Sequence, residues 1–184
     1  NSNATKTLSQ AIVTASVADV ILIQNIKISH STNNFAWGIA ILGDGTVIKD
    51  NDIGYCAFDG ITIQSGIQGF SIINNFIHNN TQSGIEIQAT TAYGGLIAFN
   101  IFYANGADGI NSAQNGSGAI PNFIIGNTFD SNTGDGYEWS AATIAQASAL
   151  FLNNIFSNNT GYGLNFSNAS HTSAYLSAQN IIVD

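Results

Sequence analysis

The sequence predicts an all-β solenoid of about six to seven coils, each built from three short strands that pair with the coils above and below. Three observations lead there. The stretch Asn153-Asn154-Ile155-Phe156-Ser157-Asn158-Asn159-Thr160-Gly161-Tyr162-Gly163-Leu164-Asn165-Phe166 recurs along the chain in recognisable form. Its leading asparagine repeats as Asn25, Asn51, Asn75, Asn100, Asn127, Asn154 and Asn180, at intervals of 24 to 27 residues. Two further columns keep step with it: His30, Cys56, Asn80, Asn105, Asn132 and Asn159, then Gly38, Gly60, Gly84, Gly109, Gly136 and Gly163. A fixed period of this size means stacked supersecondary units.

A leucine-rich repeat has a similar period, but leucine is sparse here and no segment between copies shows helical i, i+3, i+4 spacing. β-branched and aromatic residues dominate instead, which suits strands. The reading is a single-stranded parallel β-helix, right-handed by the crossover rule. Asn at a corner tolerates left-handed backbone and offers a carboxamide to neighbouring coils. Gly at the next corner supplies permissive dihedrals. The pattern N-x-[IF]-x-x-N…G-[IL]-x-[IF], over roughly residues 20–184, resembles the pectate-lyase-like superfamily of right-handed parallel β-helices with PbH1-type repeats. That resemblance implies the fold. It leaves the activity open, because the group spans lyases, hydrolases, epimerases, phage tailspikes and adhesins.

Length fits one solenoid, with residues 1–19 as an N-terminal cap or degenerate coil and 20–184 as the β-helix. The chain holds no methionine and its last repeat stops just past Asn180. An uncapped solenoid end exposes strand edges. The expectation is therefore a longer natural polypeptide, or a partner over that end. Three lysines, no arginine and a formal net charge of −8 argue against nucleic acid and against an anionic membrane surface. No run reaches the length of a transmembrane helix. A composition rich in Asn, Ser, Thr and Gly points to an extracellular, cell-surface or virion-surface setting. Cys56 is expected to be a buried, inert thiol.

In chain order, alternation sorts each strand. Three before each Asn, Leu22, Ile48, Ile72, Ile97, Ile124 and Phe151 should point inward. Two after it, Ile53, Ile77, Phe102, Phe129 and Phe156 should do the same, except at Lys27, where the first coil is out of register. Around the glycine strand, Ile39/Ile41, Ile61/Ile63, Ile85/Ile87, Tyr137/Trp139 and Leu164/Phe166 should line the core. The loop after this strand lengthens in later coils, through Ala113-Gln114-Asn115-Gly116-Ser117-Gly118 for example.

Two outer faces are informative. The strand before the Asn column carries Ile23, Lys49, Ile73, Ala98, Ile125, Leu152 and Ala178, and beside them Ile21, Val47, Ser71, Leu96, Phe123, Leu150 and Leu176. An apolar stripe of that length on water marks contact, here self-association or a neighbouring domain. The glycine strand instead presents Ala40, Thr62, Glu86, Asn111, Glu138 and Asn165. The corner before it carries Trp37, Asp59, Ser83, Asp108, Asp135 and Tyr162. A third outward column holds His78, Tyr103 and Asp130. In the pectate-lyase-like group the sheet corresponding to the glycine strands forms the glycan groove. The resemblance thus implies glycan contacts at Trp37, Asp59, Asn111 and Tyr162.

Paired carboxyls at fixed separation hydrolyse glycosides. Glu86 and Glu138, two coils apart, would lie about 9.6 Å from each other, near the inverting range. Asp108 and Asp135, one coil apart, fall nearer a retaining separation. Those four are the catalytic candidates, although Asp before Gly is also an ordinary turn residue. Lyases of the group use Lys, Arg or carboxylate-held Ca²⁺, so a lyase fits this arginine-free chain less well than a hydrolase. Asp44 and Asp50-Asn51-Asp52 are too short to make a Ca²⁺ site, and neither a cofactor nor a metal is called for. Three functional readings follow: a structural or adhesive segment self-associating through its apolar sheet, a glycan-binding module, and a glycoside hydrolase or depolymerase.

Overall fold

A computed structural model describes residues 12–14, 20–29, 37–88, 94–113, 121–140, 149–167 and 175–183. Every regular element among them is a strand of three or four residues, and all pairings are parallel between successive coils. Among the described residues the chain forms a parallel β-helix with three seven-stranded sheets.

The glycine sheet stacks Ile12–Thr14, Ile39–Ile41, Ile61–Ile63, Ile85–Ile87, Ile110–Ser112, Tyr137–Trp139 and Leu164–Phe166. The sheet leading into the Asn corner stacks Leu22–Gln24, Val47–Lys49, Ser71–Ile73, Leu96–Ala98, Asn122–Ile125, Ala149–Leu152 and Tyr175–Ala178. The sheet leaving that corner stacks Lys27–Ser29, Asp52–Gly54, Phe76–His78, Ile101–Tyr103, Thr128–Asp130, Ile155–Ser157 and Ile181–Val183. Within the N-terminal segment, Ile12–Thr14 already pairs with Ile39–Ile41. His30 and most of the long loops, including Gln114 to Gly118, lie outside the described residues.

The corner between the second and third sheets is held by an asparagine ladder. Asn51, Asn75, Asn100, Asn127 and Asn154 each donate Nδ2 to the side-chain oxygen of the next ladder residue, at 2.9 to 3.1 Å. Each also donates its backbone N–H to that same oxygen. A parallel ladder, Asn80–Asn105–Asn132–Asn159, holds the following corner, with the Cys56 N–H as its first donor. The buried Cys56 thiol occupies the rung where an amide would otherwise stand.

The left-handed backbone does not fall on the ladder residues. It falls on the residue before each: Asp50, Asn74, Phe99, Gly126, Asn153 and Gln179 at the first corner, and Tyr55, Asn79, Ala104, Ser131 and Asn158 at the second. This corrects the first coil. Asn25 has φ 56° and belongs to the left-handed column. The ladder position is Ile26, whose N–H donates to Asn51 Oδ1. Every inward assignment there moves by one. Ile23 and Ile28 are buried, Leu22 is 55% exposed, and Lys27 points to solvent. In that coil Leu22 and Gln24, rather than Ile21 and Ile23, pair with Val47 and Lys49.

The glycine column also has a different cause from the one expected. None of Gly38, Gly60, Gly84, Gly109, Gly136 or Gly163 has positive φ. A Cβ at Gly109 would lie 2.5 Å from the carbonyl oxygen of Gly136 and 2.5 Å from the Phe129 ring. The column exists because adjacent coils approach too closely for any side chain.

Inside, Phe102, Phe129 and Phe156 stack with centroids 4.7 Å apart and planes 5° from parallel. Each such ring pair adds about 1 kcal/mol beyond its area burial. Tyr137 and Trp139 are both core, at 1% exposure.

Asn127→Ala removes four side-chain hydrogen bonds, to Ile97, Asn154 and both donors of Asn100. It strands buried groups, so a loss of about 3 kcal/mol in chemical denaturation is expected. Asn153→Gly, in the neighbouring left-handed position, is expected to leave stability nearly unchanged. Equal effects from the two changes would contradict this assignment of roles.

Candidate functional site

The outward column of the glycine sheet runs in register as Ala40, Thr62, Glu86, Asn111, Glu138 and Asn165. Glu86 and Glu138 are separated by the Asn111 rung, as the repeat requires. Beside this column, the corner aspartates cap the coil that follows. Asp59 Oδ1 accepts the Ser83 N–H at 3.0 Å, Asp108 Oδ1 the Asp135 N–H at 2.7 Å, and Asp135 Oδ1 the Tyr162 N–H at 2.5 Å. Asp135 Oδ2 also accepts Asn165 Nδ2 at 2.7 Å.

The three aspartates are buried, while Glu86, Asn111, Glu138 and Asn165 are half-buried. Burial pushes Glu86 up to about 8, and the charges of Asp59, Asp108 and Glu138 add to the shift. It likewise takes Asp59 to about 6. Asp108 also rises to about 6, through burial first and then the Glu138 and Asp135 charges, against the Asp135 N–H that favours its ionised form. Glu86 is therefore largely protonated near neutral pH and can donate a hydrogen bond. One carboxylate oxygen from each of Asp108, Asp135 and Glu138 lies within 4.8 Å of the others. These three are the residues that could share a cation or a proton.

The aromatic rim is uneven. Tyr162 stands 67% exposed at its corner. Trp37 packs edge-on against Phe58. Its indole N–H leans toward the Asp59 carboxyl and offsets part of its upward shift, yet it is out of line for a hydrogen bond. Among the described residues, Trp37 Nε1, Asp59 Oδ2, Thr62 Oγ1 and Ser112 Oγ are buried with no aligned partner. Asn111 is engaged by Ser140 Oγ at 2.6 Å. The structure thus places Glu86, Asn111 and Glu138 on one column and Asp59, Asp108 and Asp135 on the adjoining corner. Trp37 and Tyr162 stand at that corner's two ends.

A second cluster on the third sheet went unread in the sequence. His78 Nε2 lies 2.8 Å from Asp52 Oδ1, and Lys27 Nζ lies 2.7 Å from Asp52 Oδ2. Burial opposes the charge on Asp52, but the Lys27 and His78 contacts hold its carboxyl below the usual range. Phe76 stacks on the imidazole at 4.1 Å and Tyr55 meets it edge-on at 5.3 Å. Gly54 is required beneath the ring, where a Cβ would come within 2.7 Å of His78. The signal was the single glycine in a column otherwise holding His78, Tyr103 and Asp130.

The sign of the pH dependence follows from proton counts. Between about pH 4.5 and 8, folded Glu86 keeps a proton that the unfolded chain has lost. Stability therefore falls as pH rises through that window. Glu86→Gln is expected to raise Tm by about 3 °C near pH 8 and to give no gain near pH 4.5. A shift independent of pH would contradict the assignment.

The sequence matches the family model described as a right-handed β-helix region over residues 10–182. No curated relative matches it. Among solved structures it is similar to a single mutant of the periplasmic alginate epimerase AlgG, with TM-score 0.58 and 18% identity, covering 89% of this chain and 47% of that one. The AlgG structure without a named mutation gives TM-score 0.55 and 19% identity, covering 88% of this chain and 42% of the other. This chain spans less than half the length of those neighbours, and at such identity they share the fold alone. The family match covers nearly the whole sequence and agrees with the three-sheet coil, the ladders and the close-packed glycines: the chain belongs to the right-handed β-helix family.

Proposed function

We propose that the chain is a glycan-binding β-helix whose ligand lies along the outward column of the glycine sheet. One observation carries this reading. Glu86, Asn111 and Glu138 stand in line on successive rungs, half-exposed, beside the corner that carries the buried aspartates. Rungs repeat every ~4.8 Å, so the column offers an axial series of donors and acceptors, the chemistry an extended polyhydroxylated chain recognises. Polar groups that converge on one strip fix orientation and specificity in such sites. Likeness to an alginate epimerase supports a carbohydrate ligand, and its periplasmic origin supports a secreted or envelope setting over the cell-surface and virion alternatives.

A second reading, compatible with the first, is self-association through the sheet that leads into the Asn corner. Val47, Leu96, Phe123 and Leu150 form one outward column there, and Ile73, Ala98, Ile125 and Leu152 the next. The side chains Val47, Leu96, Phe123, Leu150, Ile73, Ile125 and Leu152 are only half-covered by their own stack. Sedimentation at micromolar concentration is expected to show an oligomer that Leu150→Glu disperses. A monomer throughout would remove this second reading.

The first reading is tested on a glycan array. Wild-type protein is expected to retain specific oligosaccharides, and Glu86→Gln with Glu138→Gln together to weaken retention about tenfold or more, as loss of the two carboxyl hydrogen bonds implies. If a bound glycan is also cleaved, the same variants report on turnover, with Glu86 placed as the proton donor. An array with no retained glycan would overturn the proposal.

A further inference from the structure

We infer that the glycan taken by this face carries amino groups: a cationic amino-sugar polymer, as opposed to a neutral one or a uronate. The inference rests on the glycan-binding reading above and names its ligand class.

Among the described residues, the face is built from acids with no base to balance them. Asp59, Glu86, Asp108, Asp135 and Glu138 share the glycine sheet and its corner. The chain has no arginine and three lysines. Lys27 lies on the sheet leaving the Asn corner, where it pairs with Asp52, and Lys49 lies on the sheet entering it. Lys6 lies outside the described residues. The loops outside the described residues between successive coils contain neither lysine nor arginine, so no course they take brings a permanent cation to this face.

One of the acids and its neighbour are also incompletely satisfied. Asp59 is 2% exposed and its Oδ2 has no aligned partner; Thr62, 0% exposed, leaves Oγ1 without one. Both neighbour Glu86: Thr62 pairs with it in register, and the Asp59 charge acts on it. Glu86 is the half-exposed member through which a ligand meets this buried group, in which the Trp37 N–H offsets only part of the Asp59 shift. A low-dielectric wall carrying one sign of charge focuses its potential outward and draws counter-charge. An ammonium at Glu86 would accept that potential and leave the proton of Glu86 to solvent. Further along, the oxygens of Asp108, Asp135 and Glu138 gather within 4.8 Å of one another and extend the field by two rungs. A uronate carboxylate on the same column would meet like charge, which disfavours the wrong ligand strongly.

The test compares three oligosaccharides of equal length by calorimetry: a glucosamine oligomer, its N-acetylated form and a uronate oligomer. Each is titrated at low and high NaCl, with chelator and again with Ca²⁺. The expected result is that the amino form binds at least tenfold tighter than the acetylated form at low salt. That preference should shrink as salt rises, because screening weakens exposed charge pairs. Glu86→Gln and Asp59→Asn should weaken binding of the amino form several-fold more than that of the acetylated form; Asp59→Asn keeps an acceptor for the Ser83 N–H, and melting curves verify both folds. Equal or tighter binding of the acetylated form, or uronate binding that appears only with Ca²⁺, would overturn the inference and leave glycan binding standing. Binding of none of the three would overturn both.

Discussion

The structure depends on how a parallel coil satisfies backbone amides at corners where neither strand pairing nor water reaches them. An asparagine carboxamide answers that need because its oxygen accepts two donors and its nitrogen donates two protons. Asn127 shows the full set. Its oxygen receives the N–H and Nδ2 of Asn100, while its nitrogen serves Ile97 and Asn154. A glutamine would reach too far, and an aspartate would have no N–H to hand on. The ladder is therefore selective for one residue type and for one axial register. A slip of one residue would leave buried groups unpaired, each costing about 1–3 kcal/mol.

Register then distributes everything else. It brings glycine carbonyls so close to the next coil that the column can hold no side chain. It stacks Phe102, Phe129 and Phe156 face to face. It also stacks like charge. The corner before the glycine strand needs an acceptor for the next coil's N–H, and aspartate supplies it at three rungs, Asp59, Asp108 and Asp135. Burial that suits a cap disfavours an anion, so Asp59 and Asp108 rise to about 6. Glu86, facing outward among them, rises to about 8. The chemistry of the candidate site is thus a consequence of capping repeated along one axis.

Most of this architecture was legible in the sequence, because a ladder is read by counting. The columns from Asn51 to Asn180 needed only their spacing. The first coil was misread for a physical reason: Asn suits both the ladder and the left-handed position before it. Asn74-Asn75 and Asn153-Asn154 satisfy both at once. In Asn25-Ile26 only the left-handed position has kept its asparagine, and Lys27, placed inward by the wrong count, was the sign of the error. The functional columns were legible as positions but not as environments. That Glu86 and Glu138 face out follows from alternation. That Asp59 is buried, with its carboxyl raised to about 6, depends on packing that spacing does not encode. The His78 cluster was hidden because it is assembled from three strands and depends on Gly54 being small.

The separation between positions that make the coil and positions that face out bears on what fold similarity transmits. Ladder, glycine and core residues are constrained by contacts with their neighbours a coil away. Outward residues meet no such demand. A structure superposing at TM-score 0.58 with 18% identity can share the first set and differ throughout the second. Substrate charge is decided wholly by the second set. In this chain that set offers carboxyls on the glycine sheet and places Lys27 and Lys49 on other sheets. An acidic sugar polymer and an acidic face repel whatever the backbone beneath them, so likeness to an enzyme of alginate is compatible with a ligand of opposite charge.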